Sequence, residues 1–383
     1  MPHISQTNAV ANFQCLGAEC EDTCCVGWGM QVASETVAKY RTHATALLDA
    51  IVSEDSGFVM KRDPVTDFCV KFDHGLCGIH RDYGADFLGD ACHFFPRVTR
   101  ALGEDVFVTA ALSCPEAARL MLLGGDPFAV TPRAEIRVPF SLKQYLPDGI
   151  SASDAFEIHQ RFIAEAANPE FSAEINLLRG VSVAHSLGVQ PVSQWSGASA
   201  FYFRMAAARI PAAEPIPEDI FNLTHALHGL MTAGNAQKRT RLAAIRDSMA
   251  EALGITFDGG TIATAEDAPA RALKLLHRWR TEREQAMQPI LTRYLQAQLS
   301  AALFPFAGLG DTLADRMTII GVRFATVKLA LMAVESVDEP AIIRIVQPLS
   351  RFLDHLADPA LSLSIYAETG WSREPRLRAL LGA

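Results

Sequence analysis

All eight cysteines of this 383-residue chain fall in its first third: Cys15, Cys20, Cys24, Cys25, Cys69, Cys77, Cys92 and Cys114. Thiols used as small core residues would be scattered along the chain. Here four sit within eleven residues, spaced C-x4-C-x3-C-C. Thiolates that close repel one another unless a metal neutralises them. The crowding therefore points to a metal or iron–sulfur site. Disulfides and inert packing are the competing uses, and a reducing compartment disfavours disulfides.

The spacing leaves the kind of metal open. Structural zinc favours paired C-x2-C hooks, and the chain has none. An iron–sulfur cluster tolerates irregular loops, and thiolate ligands suit both metals. His80 and His93 neighbour Cys77 and Cys92 and could substitute as ligands.

Composition narrows the function. Hydrophobic residues make up 49% and charged residues 20%, the balance of a globular rather than a disordered chain. A formal net charge of −9 and a pI near 5.7 argue against a nucleic-acid binder, which needs a basic footprint. No apolar run reaches the roughly 18 residues of a membrane span. The first thirteen residues lack the basic and apolar segments of a secretory signal, so a cytoplasmic location without membrane partners is expected.

Patterning predicts a mainly α fold. A loop-rich cysteine-cluster domain with minor β occupies residues 1–125, residues 126–150 form a linker, and an irregular all-α domain covers 151–383. Residues 1–30 read as loop, with a short strand near 28–32 and a helix from Ser34 to about Ala50. VFVTAAL, residues 106–112, is the best strand candidate, and Pro115 suits the first turn of the next helix. Residues 124–149 carry little helical periodicity. Beyond Ser151 apolar residues recur at i, i+3, i+4, notably at Met287, Ile290, Leu291, Tyr294, Leu295, Leu299 and Leu303. Pro211, Pro217, Pro289, Pro340, Pro348 and Pro359 punctuate this region.

Two basic sets stand out: Arg271, Lys274, Arg278, Arg280 and Arg283 around Trp279, and Lys238, Arg239 and Arg241. Each reads as a solvated helix face or as a contact for an acidic partner. Glu19, Glu21 and Asp22 surround the first thiols with negative charge. Gly308-Leu309-Gly310-Asp311 is the nearest approach to a nucleotide-type Gly-rich turn, and reads as a turn between helices.

Four segments together resemble the flagellin lysine-N-methylase family. They are FQCLGAECEDTCCVGW (residues 13–28), CVKFDHGLCGIHRDYGADFLGDACHFFPR (69–97), LSCPEAARLML (112–122) and YLQAQLSAALFPF (294–306). The second is similar to the family's C-x5-G-x-C-x-I-H … C-x-x-F-P-R arrangement. The fourth is similar to its NYL … FPF segment, with Arg293 where Asn is usual.

The resemblance implies methyl transfer to lysine amines of flagellin, with an iron–sulfur cluster of the 4Fe-4S kind and S-adenosylmethionine as cofactors. It gives all eight cysteines a ligand role, without deciding between one cluster and two. A lysine amine must be neutral to attack a sulfonium methyl, so an acidic or phenolic group beside it could take the proton. Tyr83, with Asp82, Asp86 and Asp90, lies between two cysteine motifs, and Tyr294 opens the fourth, which makes the two tyrosines the catalytic candidates. The alternatives are a non-enzymatic protein whose metal is structural, and a redox enzyme of other chemistry.

Overall fold

The computed structural model describes residues 3–382 apart from 56, 134–141, 207–209, 211–212, 235, 237–238, 259–260 and 357. Pro211, Lys238 and the middle of the expected linker thus lie outside the described residues. The fold is mainly α, with a strand- and loop-containing N-terminal region followed by a helical part.

The strands are β1 (Ile4–Thr7), β2 (Gln31–Val32), β3 (Ile51–Glu54), β4 (Gly57–Met60), β5 (Phe72–Asp73), β6 (Leu76–Cys77), β7 (Arg97–Leu102), β8 (Asp105–Ala110) and β9 (Val130–Pro132). The main sheet runs β7-β8-β1-β9, with β1 parallel to β8 and the outer pairs antiparallel. Residues 1–30 are therefore not all loop: β1 fills the sheet centre and α1 (Asn8–Ala11) follows it. Four residues are too short to show a period, so only tertiary pairing marks β1 as a strand. β2, β4 and β3 form a second small sheet, and β5 pairs with β6.

Between the strands lie α2 (Ser34–His43), α3 (Gly78–Tyr83), α4 (Asp90–Phe94) and α5 (Pro115–Leu123). Pro115 starts α5 as expected, where a missing N–H costs nothing. The expected helix to Ala50 stops at His43 and continues as a 3-10 turn over Thr45–Ala50.

The helical part comprises α6 (Ala152–Ala166), α7 (Ala173–Gly188), α8 (Trp195–Ala206), α9 (Pro217–Ala233), α10 (Thr240–Leu253), α11 (Ala268–Arg278), α12 (Glu284–Ala301), α13 (Leu313–Ala333), α14 (Glu339–Leu353), α15 (Pro359–Glu368) and α16 (Glu374–Leu381). Local chemistry sets the starts. Ser151, Ser172 and Asp338 cap α6, α7 and α14, and Thr312 with Asp315 forms a capping box for α13. Gly308–Asp311 is the turn ahead of α13, and no strand precedes it. One hairpin, β10 (Ile255–Asp258) with β11 (Thr261–Thr264), interrupts the helices and carries no signal in their periodicity.

Two apolar clusters result. The small one gathers Met30, Val32, Val37, Tyr40, Leu47, Met60, Ile79 and Leu88 with Cys25 and Cys69. The large one runs from Ala9 to Leu381 and includes β8 and α5 as well as the helical part. Helix α13 is its axis, buried at seventeen of twenty-one positions. α5 packs on α12 and α14, which brings the helical part up against the cysteine region.

The basic run at 271–283 has a structural use. A π-helical turn, Trp279–Arg283, joins α11 to α12 and buries the indole. Arg278 donates to the Met332 carbonyl at 2.7 Å, and Arg283 donates to Leu331, Val334 and Glu335. These are the open carbonyls at the C-terminus of α13, where cations are favoured.

Candidate metal centre

Seven of the eight cysteines line one cavity of about 440 Å³: Cys15, Cys20, Cys24, Cys25, Cys77, Cys92 and Cys114. Cys69 is buried immediately behind it in the small apolar cluster. His80, His93, Arg97, Arg133 and Arg351 add basic side chains to the lining, beside Asp22, Thr23 and Ser113. No disulfide joins any of the eight.

Short local structures aim the thiols. Cys15 and Cys20 flank the 3-10 turn Gly17–Glu19, and the Gly17 N–H donates to Cys15 Sγ at 3.4 Å. Cys77 and Cys114 each precede a helix, α3 and α5. Cys92 sits inside α4. The Cys69 N–H donates to the Cys25 carbonyl at 2.8 Å, and Phe72 pairs with Cys77 across β5 and β6.

The thiols are electrostatically coupled. The Cys25 thiol donates toward Cys24 and Cys77, which holds Cys24 down to about 7 and Cys77 down to about 6. Cys25 itself is pushed far up by the same two contacts. Burial, then the charges of Cys24, Cys77 and Cys69, raises Cys92. Burial also raises Cys69 and Cys20, and pushes Cys114 up to about 12. This many thiols cannot all ionise together without a cation among them.

Arginines from the helical part clamp the loop that carries Cys20, Cys24 and Cys25. From α14, Arg351 donates to Asp22 Oδ2 at 3.1 Å, to the Thr23 carbonyl at 2.6 Å, and to the Val26 carbonyl. One turn earlier, Gln347 bridges Asp22 Oδ2 and the Ser113 carbonyl, both at 2.9 Å. Arg239 donates to the Gly27 carbonyl at 2.7 Å, and Arg241 to the Glu21 carbonyl. Gly27 has φ +81°, and a Cβ there would lie 3.3 Å from the Arg239 guanidinium. Arg119 of α5 pairs with Glu21 at 2.7 Å and Glu116 at 2.5 Å. Glu21 and Asp22 are thus neutralised by arginines, and Arg239 and Arg241 are buttresses of the cysteine loop.

The two candidate tyrosines are elsewhere. Tyr83 is half-buried and packs on Phe87, with ring centroids 5.6 Å apart, beside the small cluster rather than on the cavity wall. Tyr294 is fully buried on α12 in the large core, near Phe324, and does not line the cavity. Asp82 is held by Arg81 at 2.7 Å. The residues that do reach the site from afar, Arg239, Arg241, Gln347 and Arg351, escaped assignment because no local pattern marks a long-range contact. Only the i, i+4 spacing of Gln347 and Arg351, which puts both on one face, was available.

Phe95-Pro96 and Phe304-Pro305, in two of the four motifs, are both cis. The Phe304 carbonyl lies 2.9 Å from His159 Nδ1, so the fourth motif serves the core.

Among the described residues, no three His, Cys, Asp or Glu side chains are arranged to hold a single ion. A mononuclear thiolate zinc site needs sulfurs roughly 3.8 Å apart, from a Zn–S bond near 2.3 Å in a tetrahedron. A multi-iron cluster is a larger body and takes its ligands from around a cavity. Many thiols on one cavity wall are a donor set chemically suited to a thiophilic metal or an iron–sulfur cluster. Among the described residues, no helix is long and apolar enough to cross a membrane.

Comparison with known proteins gives three curated relatives. The flagellar biosynthetic protein FliU of Salmonella muenchen is 26% identical over 164 residues, covering 40% of this chain and 96% of that protein. Lysine-N-methylases of Salmonella choleraesuis and Salmonella typhimurium are each 25% identical over 155 residues. Those matches cover 38% of this chain and 38% of each methylase. No family model and no solved structure matches.

Proposed function

We propose that this protein is a lysine N-methylase acting on flagellin, with an iron–sulfur cluster held in the cysteine cavity and S-adenosylmethionine as methyl donor. The observation that carries the reading is the convergence of seven cysteines on one cavity. Similarity to lysine-N-methylases and to a flagellar biosynthetic protein supports the chemistry and the substrate.

Cys15, Cys20, Cys24, Cys25, Cys77, Cys92 and Cys114, with Cys69 behind them, would hold the metal. When bound, such a cluster supplies one-electron chemistry tuned by its surroundings. The chain's own residues do the rest. Arg351, Gln347, Arg239 and Arg241 fix the loop so that the thiols need not be ordered by the metal alone. Phe13, Phe72, Phe94 and Phe95 line the cavity with apolar surface and limit water. In net terms the lysine nitrogen gains a bond to the methyl carbon, the carbon–sulfur bond breaks with its pair on sulfur, and the amine loses a proton. His80 and His93 are the imidazoles on the cavity wall able to accept that proton.

The test is flagellin incubated anaerobically with the full chain, iron, sulfide and S-adenosylmethionine, then read by peptide mass spectrometry. Lysine peptides gaining methyl increments only with active protein are expected. Unmodified lysines beside a metal-loaded protein would favour the non-enzymatic reading, in which the metal staples the small apolar cluster.

A further inference from the structure

We propose that Arg97 and Ser113 form a carboxylate subsite in the wall of the cysteine cavity, and that it holds the methionyl carboxylate of the methyl donor. This rests on the reading that S-adenosylmethionine is the donor, and adds where its anionic end is held.

Three arginines line the cavity, Arg97, Arg133 and Arg351, and two of them are engaged by the chain itself. Arg351 donates to Asp22 and to the carbonyls of Thr23 and Val26. Arg133 donates to Gln6 Oε1 at 2.7 Å. Arg97 differs. Its guanidinium lies 5.4 Å from the centroid of the Phe13 ring, and among the described residues it has no hydrogen bond and no ion pair. A ring against the face of a guanidinium leaves the N–H edge able to donate. Arginine does not shed its charge, so a half-buried one calls for an acceptor at that edge. The acids of the cysteine loop are not that acceptor. Asp22 is held by Arg351 and Gln347, and Glu21 by Arg119.

Ser113 supplies a second donor. It is 1% exposed, it lines the cavity, and among the described residues its hydroxyl has no hydrogen-bond partner. Gln347 already takes its carbonyl, at 2.9 Å, so the hydroxyl is the group left over. The sheet brings Ser113 toward Arg97. Arg97 opens β7 opposite Ala110, the last residue of β8, and the Ala111 N–H donates to the Pro96 carbonyl at 2.8 Å. Ser113 follows two residues later. An unpaired guanidinium and an orphaned hydroxyl thus share one end of one strand pair and one cavity.

A carboxylate satisfies both groups. Its two oxygens accept from the forked edge of a guanidinium, and lone pairs remain for a hydroxyl. Phe13, Phe94 and Phe95 line the same cavity, and apolar surroundings strengthen such a pair. S-adenosylmethionine carries one carboxylate and no phosphate, so that carboxylate is the group Arg97 would take. The competing role for Arg97 is to balance thiolate charge, since Cys15 lines the same cavity.

The experiment measures S-adenosylhomocysteine binding to the full, iron-loaded chain by anaerobic equilibrium dialysis, beside iron and sulfide analysis. Methylthioadenosine, which keeps the adenosine and thioether but lacks the amino-acid end, is the second probe. Arg97→Gln should weaken S-adenosylhomocysteine about 10- to 100-fold, the loss of a charged pair, and leave methylthioadenosine affinity and iron content unchanged. Arg97→Lys should recover part of that loss, because an ammonium keeps the charge without the fork. Ser113→Ala should weaken S-adenosylhomocysteine about three- to tenfold. Unchanged S-adenosylhomocysteine affinity in Arg97→Gln, an equal loss for both probes, or loss of iron from that variant would overturn the subsite while leaving the methylase reading standing. A parent chain that binds neither probe would overturn the subsite, and with unmethylated flagellin the methylase reading as well.

Discussion

Replacing Arg351 with alanine should loosen the cysteine loop from the helical part. The guanidinium makes three donations, to Asp22 Oδ2, the Thr23 carbonyl and the Val26 carbonyl. Both members of the ion pair are about one-sixth exposed, at 16% and 17%. Breaking a fully buried pair costs about 3–5 kcal/mol. Residual exposure and the surviving Gln347 bond to Asp22 reduce that figure. Two lost carbonyl bonds add about 1 kcal/mol each. We expect a net cost of about 2–4 kcal/mol, read as a lower urea midpoint in the metal-free chain. Residues 15–30 should also become the first site of proteolysis. Arg351→Lys should recover little, because one ammonium cannot span a carboxylate and two carbonyls in the fixed fork of a guanidinium. A midpoint within about 0.5 kcal/mol of the parent, the range of ordinary surface changes, would refute the clamp.

Other outcomes follow from the same geometry. His159 is fully buried with its pKa pushed down to about 4 by desolvation, so its unfolded form binds the proton first as pH falls. Its neutral folded form is unpenalised above about 6.5, and stability declines by up to about 3 kcal/mol between there and pH 4. Denaturant midpoints from pH 7 to 4.5 should fall less steeply in His159→Gln, and equal slopes would count against this. Lys328 pairs with buried Glu174 at 2.6 Å, so Lys328→Met should cost about 3–5 kcal/mol by calorimetry. Tyr294→Phe removes a buried hydroxyl that lacks a well-formed hydrogen bond, so stability should change by less than about 1 kcal/mol and methyl transfer should be unaltered. Metal removal should speed proteolysis within residues 60–100 and leave α13 protected, as measured by peptide mapping with and without chelator.

The parts legible in the sequence were those written locally. Pro115 marks α5, VFVTAAL marks β8, and the i, i+3, i+4 pattern from Met287 marks α12. The crowding of the cysteines in the sequence has its counterpart in the seven that line one cavity, because residues close in the chain stay close in any fold. The long-range contacts were not legible. Arg239 and Arg241 read as a solvated set, yet their partners are carbonyls more than 200 positions earlier. β7 alternates weakly, and half-buried positions on an edge strand look like loop. Tyr294 shows how a shared motif says nothing of burial: its helix turns the side chain into the apolar core, away from the cavity wall.

The central claim is that the cysteine cavity houses an iron–sulfur centre, and metal with acid-labile sulfide analysis of the anaerobically purified full chain tests it most directly. The account predicts a brown protein with iron and sulfide in comparable amounts, both reduced in Cys20→Ser and in Cys92→Ser. A colourless protein carrying stoichiometric zinc and no sulfide would contradict it.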